Sequence, residues 1–417
     1  MKLSKLSQLF LVSSLGLSMA AMMTSCSLVS IDYVYVADSN GKGGNGQIET
    51  YAIDSDSGAI RSVASPVTTG STSPVALAIT SDYLHLYVAN QGDNSIVHFT
   101  IAASGNITKA DEVKLTTTPV ALAVSGDNSR LYVLSGTTTA TLTQYVLSSG
   151  VIGAATSVSL QIPGFTTDVT VPTGLFALPN STAVFATAYD QSAYNPGVTN
   201  CETNQTACSS ANPGWVFSVN TIGGSLGSPL AFQAGVRPSA VTADPTDRFV
   251  YVTDYASAQM VGYIITCTTS CSDTTSRTNN RILNYMIDGP FKTGVEPVSA
   301  AVDPRGKFLY VANSLDNSVS AYTLDISTGI PTTAINATGS SVNTTDTEPA
   351  VVAVDPALGR FVVTANQLGD SLSGFKLDPT AGTLSQSQGT PYPVAGYQPK
   401  AMVIAPHGNH ATQTTTP

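Results

Sequence analysis

The sequence predicts an all-β protein, a seven-bladed β-propeller, from three observations. One short phrase recurs seven times, most copies are followed by further strand-like runs, and the two ends of the array complete one another. The phrase begins at Pro74 (PVALAI), Pro119 (PVALAV), Pro172 (PTGLFAL), Pro238 (PSAVTADP), Pro297 (PVSAAVDP), Pro349 (PAVVAVDP) and Pro399 (PKAMVIAP), at intervals of 45 to 66 residues. Such a period is the mark of a repeat architecture, and several short strands per repeat indicate propeller blades.

Each element follows from its residues. The run after each proline is rich in Ala, as expected of an innermost strand converging on a narrow axis. A second run follows, such as LHLYVAN ending at Asn90, FVYVTD at Asp254, FLYVAN at Asn313 and FVVTAN at Asn366. A third includes SIVHFTI, QMVGYII, SVSAYTL and SLSGFKL, and a turn such as Asp325 to Gly329 leads to a weaker fourth. These runs are short, β-branched or aromatic, and bounded by Pro, Gly, Asn and Asp, which is the strand signature. The recurring Asn90, Asp254, Asn313 and Asn366 suit turns, because their side chains bond to nearby backbone. Asp54 to Gly58 is read as one of the repeated turns and not as a calcium loop, since it lacks the other ligands.

The segment before Pro74 supplies second, third and fourth strands without a first, and Pro399 to Pro406 is a first strand with nothing after it. Joined, they make a seventh blade with three-plus-one closure, which leaves no open sheet edge at the ring. The propeller is expected over residues 32–406, with residues 407–417 a disordered tail.

Ahead of it, Lys2 and Lys5 precede an apolar run from Leu9 to Met23 and then Met23-Thr24-Ser25-Cys26. This order reads as a bacterial lipoprotein signal over residues 1–25, with Cys26 lipidated and residues 26–31 a tether to a membrane. The expected location is the cell envelope, on the periplasmic or cell-surface side, and the expected state is a monomer. In that oxidising setting Cys201 with Cys208, and Cys267 with Cys271, read as two local disulfides pinning loops; a structural zinc site, the rival reading, would need both pairs to converge. The chain carries 17 Lys and Arg against 27 Asp and Glu, a net charge of −10, and only 11% charged residues. That balance lacks the basic stripe that nucleic acid requires.

The YVAN, YVTD and DNSV phrases, with their P-x-A first strands and D-x-x-x-G turns, resemble the seven-bladed propeller lactonase family and the YVTN surface-protein repeats. The resemblance spans residues 32–406 and implies lactone hydrolysis; no metal or cofactor is expected. It also implies an Arg-His pair at the start of an inner strand. Here Arg237 matches the Arg, and Pro238 follows it.

The residue before each repeat proline is expected at the mouth of the central channel: Ser73, Thr118, Val171, Arg237, Glu296, Glu348 and Gln398. Three successive blades thus place one cation and two carboxylates there, in a chain where charge is scarce. Lactone hydrolysis needs a base to activate water and a donor to stabilise the oxyanion, so Glu296 or Glu348 is assigned as base and Arg237 as electrophilic partner. Ser73, Thr118 and Gln398 complete a ligand-binding rim. Tyr194 and Trp215, on the long loop of the third blade, are candidates for stacking on a carbohydrate or a partner protein, with Trp215 alternatively the first buried residue of its strand. The alternative is a non-catalytic binding propeller. His85 is expected to be exposed, and His98 to be packed and hydrogen-bonded.

Overall fold

The computed structural model describes residues 30–39, 44–162, 169–191, 213–334 and 341–407. They form seven antiparallel sheets. The inner strands, in blade order 1 to 7, are Pro74–Ile79, Pro119–Val124, Thr170–Ala177, Pro238–Ala243, Pro297–Val302, Pro349–Val354 and Tyr397–Pro406. Each packs beside the next, and that of blade 7 returns to that of blade 1, so the ring closes.

Closure is three-plus-one. Ser30–Ser39, near the N-terminus, pairs with Tyr397–Pro406 in the register Asp32 to Pro406 through Ala37 to Ala401. The strand starts at Ser30, earlier than expected, because blade 7 has no hairpin between its inner and second strands and Ser30 can pair with Asp54. At the other end His407 is ordered. Its amide donates to the Ile31 carbonyl at 2.8 Å, and its ring meets Tyr33 edge-on at 4.8 Å. His407 is thus a correction to the expected tail, whose remaining residues 408–417 lie outside the described residues.

The core lies between blades. Alternation sends successive side chains of each second strand to opposite neighbours: Val34 and Val36 join the apolar cluster shared with blade 6, while Tyr33, Tyr35 and Ala37 join the cluster shared with blade 1. The remaining five seams are filled in the same way. A tyrosine staple recurs across them. Tyr35, Tyr87, Tyr251 and Tyr310 each donate from the second strand to the carbonyl of the turn glycine in the next blade, Gly105, Gly150, Gly329 and Gly382, at 2.6 to 3.0 Å. Burying the ring while satisfying its hydroxyl makes Tyr suitable for this position.

Arginines staple the seams from outside: Arg130 reaches the Gly224 carbonyl and Arg305 that of Gly359. Cys267 and Cys271 are disulfide-bonded, as predicted. Cys201, Cys208 and Tyr194 lie outside the described residues, as does Cys26.

His98 is buried, but His85 is a correction: it is half-buried rather than exposed. Asp111 Oδ1, His98 Nδ1, His98 Nε2 and His85 Nδ1 form a chain with contacts of 3.0 and 2.9 Å, and His98 stacks on Tyr87. Burial lowers the His98 pKa, against the opposing pull of Asp111. The small residues at the equivalent sites of other blades concealed that His98 could reach His85 across the strand pair.

Blade 7 carries a buried acid with no backbone donors. Asp32 is fully buried, no donor reaches its oxygens, and burial followed by the neighbouring Asp355 pushes its pKa up to about 10. Because the folded value lies above the unfolded one near 3.8, folding holds a proton that the unfolded chain has released. Stability linked to Asp32 is thus full below about pH 4 and declines as pH rises toward 10. Asp32→Asn, which can donate to Asp355 without a proton, is expected to stabilise the fold at pH 8 by about 1–3 kcal/mol. The gain should vanish near pH 4; thermal melts of both proteins across that range check it.

Candidate functional site at the channel mouth

Two faces follow from the topology. Inner strands start on the mouth face and turn into second strands on the opposite, hairpin face. At the mouth, Ser73, Glu296, Glu348 and Gln398 share a left-handed backbone, with φ of 54°, 55°, 56° and 53°. For a non-glycine residue this costs about 1–2 kcal/mol, and such strain persists only where the surroundings enforce it. Here the enforcement is visible. The carbonyls of Ser73, Glu296 and Glu348 accept from Gln91, Ser314 and Gln367 at 2.7 to 3.0 Å. The amides of Glu348 and Gln398 donate to Asn317 Oδ1 and Asp370 Oδ1 of the preceding blade, both at 2.7 Å. The adjacent strand, and for Glu348 and Gln398 the preceding blade, therefore fixes the backbone from which these side chains project.

Glu296 and Glu348, predicted as a pair, line one open cavity of about 550 Å³ between blades 5 and 6. Tyr255, Asn317, Gln367 and Leu368 join them in its wall. Asn317 has its Oδ1 engaged by the Glu348 amide, which leaves its Nδ2 as the donor end. The cavity wall contains two carboxylates and, among the described residues, no Lys or Arg.

Arg237 is close but one layer back. Its guanidinium lies over the Tyr255 ring at 4.5 Å and faces the Tyr189 ring at 5.5 Å, and Tyr255 is what reaches the cavity. The cation thus meets the site through an aromatic face, a contact worth about 0.5–2 kcal/mol. Its position is fixed from below: the buried Asp254 carboxylate accepts the Val236 and Arg237 amides, both at 2.9 Å.

Sequence reasoning missed Tyr255. The available signal was its place after the second-strand Asn or Asp, where other blades have Gln91, Gln191, Ser314 or Gln367.

The other predicted rim residues are placed as follows. Ser73 and Gln398 are exposed at the mouth, and Thr118 is half-buried there. Val171 lies within its strand, paired with Tyr189, and is no rim residue. Trp215 pairs with Ala188 and Gln233 and packs, half-buried, against the apolar cluster between blades 2 and 3.

The recurrent Asn and Asp are buried supports, as expected. In blades 5 and 6, Asn313 and Asn366 donate to paired serines, Ser318 with Ser320 and Ser371 with Ser373. Blade 7 replaces this neutral knot with Asp38, Gln47 and Glu49, all buried. Burial and then Glu49 push the Asp38 pKa up to about 9.

The family description "Lactonase, 7-bladed beta-propeller" matches over residues 17–117, 45–150 and 102–412. Among solved structures, a periplasmic gluconolactonase of Pseudomonas aeruginosa aligns with a TM-score of 0.66 at 18% identity, covering 90% of this chain and 99% of that one. A putative 6-phosphogluconolactonase of Bacteroides uniformis gives 0.67 at 14% identity, covering 90% and 100%. One from Bacteroides fragilis gives 0.67 at 14%, covering 91% and 99%. At these identities the likeness is one of fold. No curated protein matches by sequence.

Asp254→Ala is expected to cost about 1–3 kcal/mol by stranding two loop amides, whereas Asp254→Asn, which keeps one acceptor, costs less. Urea unfolding of the two variants beside the parent checks the order.

Proposed function

Because the chain belongs to the seven-bladed β-propeller lactonase family, we propose that the mouth cavity hydrolyses a neutral lactone. The observation that carries the reading is the convergence of Glu296 and Glu348 on one cavity, from backbone positions held in a strained conformation. One carboxylate takes a proton from water as the water oxygen bonds to the lactone carbonyl carbon. Asn317 and Gln367 supply amide donors for the oxyanion. The ring C–O bond then breaks, and the protonated carboxyl returns its proton to the departing alkoxide. The product is a hydroxy acid that ionises by losing its carboxyl proton to solvent, and its carboxylate is then repelled by the two glutamates, which favours release. A cavity wall with no Lys or Arg among its described residues suits an uncharged lactone better than a sugar phosphate, which calls for Arg or Lys.

A non-catalytic binding propeller is the second reading. Pro238 favours it, since it stands after Arg237 where the family usually has His.

The two readings separate on a panel of uncharged γ- and δ-lactones. Under the first, Glu296→Gln or Glu348→Gln lowers kcat by about 10²–10⁴-fold, and Arg237→Ala has a smaller effect through Tyr255. Absence of turnover across the panel, or turnover indifferent to both Gln variants, would sink it.

We place this activity at the bacterial cell envelope, in a monomer held to a membrane through Cys26. The support is the charged head, apolar run and small residues ahead of that cysteine. Labelled palmitate should enter the expressed protein and be lost in Cys26→Ser; equal labelling of both refutes the anchor.

A further inference from the structure

We infer that the hairpin face carries a second ligand site, a cavity between blades 4 and 5 that takes a phosphate ester. This cavity of about 400 Å³ is lined by Arg248, Arg305 and Lys307 over a floor of Phe249, Tyr251 and Leu324. It therefore gathers three of the chain's 17 cations, at the opposite end of the blades from the carboxylate-lined mouth.

The repeat supplies independent evidence. The residue just before the second strand is Leu84, Ser129 and Thr182 in blades 1 to 3, but Arg248, Lys307 and Arg360 in blades 4 to 6. Blade construction does not require a cation there, since three blades manage without one.

The cations are also arranged for an anion. Arg248 is fixed by donating to the Ile326 carbonyl at 2.6 Å and Thr246 Oγ1 at 2.8 Å, with its guanidinium against Phe249. Among the described residues no ion pair joins Arg248 or Lys307 to a carboxylate; Arg305 is paired with Asp303 at 2.7 Å and donates to the Gly359 carbonyl of blade 6, so Arg248 and Lys307 are the cations left for a ligand.

Two carboxylates also line the cavity, and both are engaged elsewhere. Asp244 accepts the Thr246, Arg248 and Phe249 amides, and Asp325 accepts those of Ser327 and Thr328. Backbone amides thus turn both carboxylates toward the chain, while Arg248 and Lys307 form no ion pair with either. A held guanidinium and an exposed ammonium lining one cavity are the chemistry of phosphate recognition. The apolar floor and the volume leave room for a small carbon group attached to it.

Such an ester has two sources, a soluble metabolite or the headgroup of an anionic phospholipid. The second is within reach because the chain enters the closing blade at Ser30 on this same face.

Titration calorimetry of the full chain with glycerol 3-phosphate, and co-sedimentation with phosphatidylglycerol against phosphatidylcholine vesicles, both at low salt, test the site. Saturable binding of either phosphate probe is expected, and which one binds identifies the source. Lys307→Ala should weaken it about fivefold, the effect of one charge near an anionic surface, and Lys307→Glu further. Lys109→Ala, on the rim of blade 1, should leave it unchanged, and all three variants should melt as the parent does. Binding of neither phosphate probe, or binding equal in Lys307→Glu and the parent, overturns the inference.

Discussion

The ring depends on one strand pairing, that of Ser30–Ser39 with Tyr397–Pro406. A chain of sheets radiating from an axis has its free edges at the first and last blades, and exposed edges invite non-native pairing. Completing blade 7 from both ends removes that edge. It also makes all seven seams equivalent, so each apolar cluster has a blade on either side. Because this contact joins the two ends of the chain, it is the most non-local in the protein, and its closure entropy is met by no local gain.

The closing blade also departs most from the repeat. It has no hairpin between inner and second strands, so Asp32 occupies a place where no turn amides are available to an acid. At its mouth end Asp38 and Glu49 stand where blades 5 and 6 have neutral Asn and Ser. Both departures leave a buried carboxyl that keeps its proton well above the ordinary range. A blade that unites the chain ends is free of the constraint of repeating its neighbours, and its charge chemistry differs accordingly.

Rigidity at the mouth has the same origin. Each left-handed residue before a proline is tied to an amide or acceptor on an adjacent strand or the preceding blade. The strain is held by the second strand of the same blade and, at Glu348 and Gln398, by the preceding blade as well. A site preorganised in this way loses little entropy when it binds, which suits a cavity whose polar groups must meet a developing oxyanion.

The sequence by itself determined the fold, because seven copies of a strand pattern impose the same local geometry seven times and the incomplete first and last copies can only complete each other. It also determined that Glu296 and Glu348 share the mouth and that Cys267 pairs with Cys271, since repeat position and short spacing fix both. Tertiary structure alone decided what lies side by side across seams. Arg237 points onto Tyr255 rather than into the cavity, Trp215 packs against blade 2, and His85 turns inward to His98. Those outcomes depend on side-chain direction between neighbouring strands and blades, which a period of about 50 residues does not encode. The repeat tells which residues are equivalent; only the ring tells which of them touch.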